Sequence, residues 1–332
     1  MKPNELLAYL NTLVDNNLKM AVMIWGPPGI GKSSIVQQLA ENRELAFTDL
    51  RLSQLAPTDL RGLPVPKDNI STWLPPEFLP SHGRGILFLD EINMAPPAMQ
   101  GIAQQLILDR RVGSYQLPDD WFVWAAGNRK EDKAAVFDMP SPLANRFIHL
   151  DVESSAQDFR QYAFANQLDE KIISFIAFRE DLLHKIHDND NAWPSPRSWE
   201  AANALYQADL SIESAVGQGP AAEFYAYIDI TENIPDLDAI IQGKTSISFP
   251  NEASLRYATI TGLVTRCRQP DEAINAFHWL TEKATAEWVQ LFATDLFPQL
   301  RARDKLGEVH QQLMSDEKLS AFLREFAELM SS

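Results

Sequence analysis

Apolar residues in the first half of the chain follow two alternating patterns, one typical of helices and one typical of strands. A stripe at helical spacing predicts an amphipathic helix over residues 3–18, and it consists of Leu6, Leu10, Leu13 and Val14. The run Ala21–Trp25 has the length and composition of a buried strand, and residues 34–43 return to helical spacing. Strands that alternate with helices favour an α/β layer with a mostly parallel sheet.

The same patterns predict the remaining elements. The α/β region is expected to contain a strand at 45–52, a hairpin with its tip at 67–69, a strand at 85–89, a helix at 96–109, a hairpin turning at 113–114, a strand at 121–126, a helix at 141–146 and a strand at 147–152. After this region the pattern becomes helical. Helices are expected at 156–186, 198–208, 211–230, 255–267, 272–292 and 304–330, with an irregular connection at 240–250.

The composition fits a globular protein of more than one domain. The chain has 332 residues, of which 45% are hydrophobic and 22% are charged. A net charge of -16 argues against a general duplex-DNA binder, which normally carries a basic surface. Cys267 is the single cysteine, so a disulfide within the chain is excluded. The N-terminus lacks the features of a secretory signal and no apolar run reaches membrane-spanning length, so we expect a soluble cytoplasmic protein without membrane insertion.

A glycine-rich loop that ends in a lysine follows the first strand. The segment Gly-Pro-Pro-Gly-Ile-Gly-Lys-Ser fits the pattern G-x-x-x-x-G-K-[ST], whose backbone N–H groups wrap a phosphate chain. The strand before it and the helix after it point a helix N-terminus at an anion. The residues expected to bind nucleotide are Gly26, Pro27, Pro28, Gly29, Ile30, Gly31, Lys32, Ser33 and Ser34. The alternative, a glycine turn without a ligand, leaves Lys32 without a role.

Two acidic residues end the apolar strand at 85–89. Because open α/β sheets bind ligands at the carboxyl ends of their strands, Asp90 and Glu91 are expected near the glycine loop. Asp90 can hold Mg²⁺ together with Ser33, and Glu91 can orient or deprotonate a water near the γ-phosphate. The alternative is a structural role, as the N-cap of the following helix. Asn128 ends the strand at 121–126 and can hydrogen-bond the same water or the γ-phosphate.

Arg197 stands at or near a predicted helix start. The helix dipole favours acidic residues at that position, so an anion from elsewhere is a candidate partner for Arg197. The alternative is an ordinary surface arginine.

The residues around the acidic pair resemble a known family. The run Leu89-Asp90-Glu91-Ile92-Asn93-Met94-Ala95-Pro96-Pro97-Ala98-Met99-Gln100 is similar to the acid-Ile-Asn-x-Ala-Pro-Pro run of MoxR-like AAA+ ATPases, within the helix-2-insert clade. The resemblance is close over 26–152 and looser up to Arg197. It implies a P-loop AAA+ three-layer core with a mostly parallel five-stranded sheet over 1–152, an all-helical lid over 153–235 and a helical C-terminal extension over 236–332.

The resemblance also implies roles for individual residues. The glycine loop is identified with the Walker A loop, Asp90 and Glu91 with the Walker B acids, and Asn128 with the sensor-1 amide. Residues 141–147 are similar to the family's Leu-x-x-Arg-Phe run, which makes Arg146 an arginine finger. Residues 195–197 are similar to the sensor-2 motif. The implied catalytic residues are Lys32, Glu91, Asn128, Arg146 and Arg197, with Ser33 and Asp90 as Mg²⁺ ligands.

Two positions depart from the family pattern. Arg129 follows the sensor-1 asparagine where relatives usually have proline, and it is a second candidate cation near the γ-phosphate. Asn145 replaces the acidic residue that often precedes the finger.

The implied function is Mg²⁺-dependent ATP hydrolysis in a ring, by resemblance a hexamer. Such rings remodel or activate a client protein, or help to insert a metal cofactor, commonly with a von Willebrand factor A domain protein. The alternative is a nucleic-acid-stimulated motor, which needs a basic, aromatic-lined channel. The hairpin residues available for such a channel are Lys67, Arg110, Arg111 and Tyr115. A metabolic kinase fits less well, because it would give Asn128, Arg146 and Arg197 no role.

Overall fold

A computed structural model of the chain describes residues 1–129, 136–186, 191–316 and 318–320. Backbone contacts divide the chain into two compact units, Met1–Ser154 and Ser155–Ser332. The first unit mixes strands and helices, and the second is helical throughout its described residues. The further division of the helical part at residue 236 stays a prediction.

Strands and helices of the first unit follow one another in the predicted order. The strands are β1 Val22–Trp25, β2 Ala46–Arg51, β3 Leu63–Lys67, β4 Ile70–Leu74, β5 Gly85–Asp90, β6 Arg111–Val112, β7 Tyr115–Gln116, β8 Trp121–Gly127 and β9 Ile148–Asp151. The helices are α1 Pro3–Asp15, α2 Lys32–Asn42, α3 Pro57–Arg61, α4 Pro97–Asp109 and α5 Ser141–Ala144. These elements confirm the predicted ones to within a few residues at each end. The short helix α3 was not predicted, because it lies in a proline-rich stretch with little helical period.

Five parallel strands form the central sheet in the order β2-β5-β8-β1-β9. Strands β5 and β8 are buried along almost their whole length, as expected for parallel strands covered on both faces. On one face, α1 and α2 pack against Ile24, Phe88 and Trp124. On the other face, α4 packs against Met23 and Leu87. The predicted three-layer α/β core with a five-stranded sheet is therefore confirmed.

Two hairpins extend from this core, as predicted. Strands β3 and β4 are antiparallel, and both turn residues, Asp68 and Asn69, have positive φ angles, as a tight two-residue turn requires. Strands β6 and β7 form the second hairpin around Gly113 and Ser114. The Ser114 hydroxyl donates to the carbonyl of Trp73, so the two hairpins contact each other.

The second unit contains helices α6 to α15. Their bounds are α6 Ala156–Ala165, α7 Glu170–Phe178, α8 Pro196–Gln207, α9 Glu213–Val216, α10 Gln218–Thr231, α11 Leu237–Ile241, α12 Ala253–Arg266, α13 Pro270–Lys283, α14 Ala286–Ala302 and α15 Leu306–Ser315. Within the described residues, one hydrophobic core runs from Phe159 on α6 to Leu313 on α15.

Three stretches of this unit that were each predicted as one helix are divided in the structure, so these predictions were wrong. The stretch 156–186 is divided, because Gln167 has a positive φ angle and the Asp169 carboxylate caps α7 by accepting from the Lys171 N–H. The stretch 211–230 is divided at Gly217, which has a φ of 88°. The stretch 272–292 is divided before α14, where Thr285 is the N-cap. The helix predicted at 304–330 also ends early, because α15 stops at Ser315 and Asp316 has an extended backbone. Residues 317 and 321–330 of that prediction lie outside the described residues.

A buried ion pair joins α6 to α14. The guanidinium Nε of Arg160 lies 3.1 Å from Oδ2 of Asp295, and the two side chains are 4% and 1% exposed. Burial raises the pKa of Asp295, and the neighbouring Arg160 opposes that shift. In the described parts of the chain, no helix is both long and apolar enough to cross a membrane.

Candidate functional site

The glycine loop connects β1 to α2 at the carboxyl edge of the sheet. Gly29 and Gly31 have φ angles of 82° and 91°, a region that side chains with a Cβ seldom adopt. Gly31 is the N-cap of α2, and the first turn of α2 contains no acidic residue. The N-terminus of α2 is therefore left electropositive and faces the loop, as a phosphate site requires.

Lys32 lies in the loop and is 9% exposed. Its ammonium group donates to the carbonyl oxygens of Gly26 at 2.7 Å and Pro27 at 3.0 Å, and to Oδ1 of Asn128 at 2.9 Å. The end of β8 and the glycine loop thus meet at one cation. The structure brings together Lys32 and Asn128, two residues that are 96 positions apart in the sequence.

Asp90 ends β5 at the same edge. The register pairs Leu89 with Ala125, which places Asp90 level with the last residues of β8. One carboxylate oxygen of Asp90 accepts from the Glu91 N–H at 2.9 Å. Burial raises the pKa of Asp90, while this hydrogen bond and the charge of Lys32 oppose the shift. The influence of Lys32 places the Asp90 carboxylate within electrostatic reach of the glycine loop.

Glu91 turns out of the strand. Its φ angle is 54°, a conformation that is uncommon for residues other than glycine and often marks a functional position. The hydroxyl of Ser53, which lies just after β2, donates to the Glu91 carboxylate. Glu91 is therefore held by a hydroxyl from the neighbouring strand end and not by a helix N-terminus, so the N-cap alternative is not supported.

Asn93 fixes the position of Asn128, a relation that sequence reasoning missed. Its Nδ2 donates to the Asn128 carbonyl at 2.6 Å, and its Oδ1 accepts from the Asn128 N–H at 3.3 Å. Asn93 is 4% exposed. A Cβ on Gly127 would lie 2.4 Å from Asn93 Oδ1, so this contact requires glycine at position 127. The sequence signal that could have pointed to Asn93 was its place in the run 89–100, which resembles the family motif.

A third carboxylate, Asp49 on β2, was also missed. Burial raises the pKa of Asp49, and the negative charge of Asp90 raises it further. Asp49 and Asp90 lie on the same face of paired strands, because Asp49 pairs with Phe88 two residues before Asp90. That face is the one covered by α2, which carries Ser33. The alternation of side chains along β2 was too loose to assign Asp49 to this face.

The two candidate arginines of the first unit differ in their contacts. Arg129 forms an ion pair with Asp151 at the end of β9. Arg146 lies in the turn between α5 and β9, where its backbone N–H donates to the Leu143 carbonyl at 3.1 Å. Its side chain is exposed and makes no hydrogen bond or ion pair with any described residue. Arg146 is thus the arginine available to an outside ligand.

Arg197 lies in the second unit, as the second residue of α8. The Ser195 hydroxyl caps this helix by accepting from the Ser198 N–H at 3.1 Å. The Arg197 side chain is exposed and pairs with no described residue. Its part in the site of the first unit stays a prediction.

The oxygen donors at this edge fit Mg²⁺. The second carboxylate oxygen of Asp90 and the hydroxyl of Ser33 make no hydrogen bond with a described residue. No group of three or more His, Cys, Asp or Glu side chains is arranged as a metal site within the described residues. Mg²⁺ typically binds one or two carboxylates, with phosphate oxygens and water as its other ligands. A single carboxylate and a hydroxyl beside a phosphate loop match that preference.

Comparison with known families supports the same assignment. Residues 21–147 match the family described as AAA domain (dynein-related subfamily). The matched segment runs from the residue before β1 to the residue after Arg146, so it contains the glycine loop, both acids and Asn128. It supports an AAA+ P-loop ATPase domain in this part of the chain. A search of curated proteins found no significant match.

Several solved structures are similar to this chain at low sequence identity. One is the RuvB Holliday junction branch migration motor of Thermotoga maritima, with 16% identity, 73% of this chain and 77% of that chain covered, and a TM-score of 0.41. Another is NtrX from Brucella abortus in complex with ATP, with 17% identity, 89% and 67% covered, and a TM-score of 0.39. NtrX in complex with ADP has 14% identity, 90% and 68% covered, and the same TM-score of 0.39. Similarity this weak carries no conclusion about the activity of this chain.

Proposed function

We propose that the chain is a Mg²⁺-dependent ATPase of the MoxR-like type that works in a ring, most simply a hexamer, and remodels a protein client. The convergence of Lys32, Asp90, Glu91 and Asn128 at one edge of the sheet carries this proposal. Phosphoryl transfer depends mainly on positioning and on neutralisation of charge. The four side chains supply a cation, a metal ligand, a carboxylate for the attacking water and an amide to orient that water.

Each side chain has a distinct task in this proposal. Lys32, freed from its contacts with the loop carbonyls, binds the β- and γ-phosphates. Ser33 and Asp90 hold Mg²⁺, which neutralises the phosphate oxygens when it is bound. Glu91 polarises the attacking water, and Asn128, positioned by Asn93, orients the γ-phosphate or that water. Arg197 would sense the γ-phosphate from the lid.

Arg146 is proposed to act on the nucleotide of a neighbouring subunit. It is exposed and pairs with no described residue, whereas Arg129 is engaged by Asp151 within its own subunit. An arginine supplied in trans accelerates phosphoryl transfer by about 10³–10⁵. Because a site that needs a neighbour's arginine is incomplete in a monomer, the proposal requires an oligomer, and a closed ring gives every site the same partner.

The hairpins favour a protein client over nucleic acid. One face of the β3–β4 hairpin carries three exposed apolar side chains beside the exposed Lys67. Leu63, Ile70 and Leu74 are exposed by 69%, 65% and 55%. On the second hairpin, Tyr115 is buried and donates to the Pro80 carbonyl at 2.6 Å. Arg110 donates to carbonyls of its own chain, including that of Pro118 at 2.7 Å. An apolar exposed patch is typical of protein contacts, and two of the candidate nucleic-acid contacts are engaged internally.

Two substitutions test the ATPase assignment. Lys32→Ala should abolish ATP binding, and Glu91→Gln should bind ATP and fail to hydrolyse it. Glu77→Gln, at an exposed acid away from the site, is the matched control and should hydrolyse ATP like the unchanged protein. Binding is measured with a fluorescent ATP analogue and hydrolysis by phosphate release. Normal hydrolysis by the Glu91→Gln protein would remove that carboxylate from the mechanism.

The partner is proposed to be a von Willebrand factor A domain protein together with a client. The Glu91→Gln protein, held with ATP bound, should retain such proteins in a pull-down, and the Lys32→Ala protein should not. Addition of single- or double-stranded nucleic acid should leave the ATPase rate unchanged. A marked stimulation by nucleic acid would favour the motor over the protein remodeller.

A further inference from the structure

His149 connects the strand before the glycine loop to the turn that carries Arg146. It lies on β9, the edge strand beside β1. Trp25, the last residue of β1, donates through Nε1 to His149 Nδ1 at 2.8 Å. On the other side of the ring, His149 Nε2 lies 2.8 Å from the Ala144 carbonyl oxygen. Ala144 ends α5, two residues before Arg146.

The two partners determine which nitrogen of His149 carries the proton. An indole N–H can only donate and a carbonyl oxygen can only accept. Nδ1 of His149 is therefore unprotonated, and Nε2 carries the proton and donates it to Ala144. A neutral ring in one tautomer thus satisfies both contacts at once.

Ring packing reinforces this link. The rings of Trp25 and His149 are nearly parallel, with an interplanar angle of 8° and centroids 6.0 Å apart. Phe147 meets the His149 ring edge-on at 6.3 Å. The Phe147 N–H also donates to the Ala144 carbonyl at 3.2 Å, which closes the turn around Arg146. A displacement of Trp25 would therefore be passed to both sides of that turn.

The glycine loop is held tightly against the same strand. Gly26 follows Trp25 directly, and the Trp25 carbonyl accepts from the Val152 N–H at 2.8 Å. A Cβ on Gly26 would lie 2.7 Å from the Val152 carbonyl oxygen, so this approach leaves no room for a side chain. A movement of the loop backbone at Gly26 would therefore displace the backbone at the end of β9. The Arg146 side chain pairs with no described residue, so the turn beneath it determines where it points.

We propose that His149 is a positioning residue that transmits the state of one subunit's glycine loop to the arginine that this subunit offers to its neighbour. This inference rests on the proposed function, in which Arg146 acts in trans. It adds a route by which nucleotide bound in one site changes the rate of hydrolysis in the next.

Two substitutions break the link from opposite sides. His149→Phe keeps an aromatic ring beside Trp25 and removes both hydrogen bonds of the imidazole. Trp25→Phe removes the N–H that donates to His149 Nδ1. Each should lower kcat for ATP by about tenfold, the rate equivalent of one or two hydrogen bonds, with the Kd for ATP unchanged within about twofold. His310→Phe, at an exposed histidine of α15, is the control and should hydrolyse ATP normally.

A subunit-mixing experiment separates this role from a structural one. Subunits with Glu91→Gln do not hydrolyse ATP and contribute only their arginine to neighbouring wild-type sites. Adding His149→Phe to the Glu91→Gln subunits should make them stronger inhibitors of wild-type rings, approaching Glu91→Gln subunits that also carry Arg146→Ala. Inhibition curves that coincide for Glu91→Gln with and without His149→Phe would overturn the inference.

The inhibition curve for subunits that carry both Glu91→Gln and Arg146→Ala distinguishes the trans arginine from the role of His149. If Arg146→Ala strengthens inhibition and His149→Phe does not, the arginine acts in trans and the role of His149 is refuted. If neither strengthens inhibition, the trans arginine itself is refuted, and the role of His149 with it. Trp25→Phe in the same Glu91→Gln background gives an independent second test, should His149→Phe prove too unstable to assemble.

Discussion

At the scale of single residues, the environment of Asp90 makes its charged form costly in the absence of a ligand. Asp90 is partly buried, and burial raises the pKa of its carboxylate. Within the described residues, the carboxylate accepts a hydrogen bond from the Glu91 N–H. The charges of Lys32 and Arg51 lower the pKa of Asp90 without cancelling the effect of burial, so the carboxylate is still costly to ionise. Under the proposed function, a bound Mg²⁺ would supply the charge that compensates this carboxylate.

Replacement of Asp90 by Asn should stabilise the nucleotide-free protein at neutral pH. Because the folded-state pKa of Asp90 is raised, its stabilising contribution is present at low pH and lost as pH rises through that pKa. The melting temperature of Asp90→Asn should exceed that of the wild type at pH 7 by about 2–4 °C for each kcal/mol gained. The gain should shrink as the pH falls towards about 4, near the ordinary range of aspartate.

The control for this substitution is Asp119→Asn, at an exposed loop position. It should leave the melting temperature unchanged at both pH values. Mg²⁺ with ATP should raise the melting temperature of the wild type more than that of Asp90→Asn. A lower melting temperature for Asp90→Asn at pH 7 would contradict this account of Asp90.

At the scale of elements, the ends of β5 and β8 act as one unit through Asn93. Its side chain satisfies both backbone groups of Asn128, and Asn128 in turn contacts Lys32 in the glycine loop. The Asn93 side chain thereby ties the turn after β5 to the end of β8, and Asn128 ties that end to the glycine loop. The side chain of Asn128 is oriented as a consequence.

Asn93→Ala should cost both stability and turnover. It leaves two buried backbone groups of Asn128 unpaired, which costs about 1–3 kcal/mol for each group. The kcat for ATP should fall by more than the affinity for ATP, since the glycine loop is untouched. Asn275→Ala is the matched control, because Asn275 donates to the Ile241 carbonyl at 2.9 Å in the second unit. It should lower the melting temperature without changing kcat for the folded protein.

Sequence patterns predicted the elements better than the contacts between them. The strand ending in Asp90 and Glu91 was clear because its apolar run ends abruptly in two acids. The contact between Asn93 and Asn128 depends on the register of β5 against β8, which no local pattern encodes. The break between α13 and α14 was missed because helical spacing continues across it, although Thr285 was an available N-cap signal.

At the scale of the whole molecule, the helical unit depends on a buried ion pair. Asp295→Ala would leave Arg160, which is 4% exposed, paired only with Glu180 among the described residues. Removal of one member of such a pair costs about 3–5 kcal/mol in the free energy of unfolding. Glu308→Ala, which removes an exposed pair with Lys305, should cost less than about 1 kcal/mol. Chemical denaturation followed by circular dichroism compares the two.

Replacement of both members by apolar residues should be milder. Arg160→Met with Asp295→Leu leaves no buried charge, so the double variant should recover much of the stability lost in Asp295→Ala. A double variant as unstable as Asp295→Ala would mean that the Arg160–Asp295 pair stabilises the fold beyond the mutual compensation of its two buried charges.

The completion of each nucleotide site by a neighbouring subunit is tested most directly by ATP turnover as a function of protein concentration. Wild type and Arg146→Ala are compared, with ATP binding and oligomeric state measured in the same samples. Wild-type turnover per subunit should rise as the oligomer forms, and Arg146→Ala should bind ATP normally while hydrolysing it about 10³-fold more slowly. Full turnover by a verified monomer, or by the Arg146→Ala protein, would contradict the account.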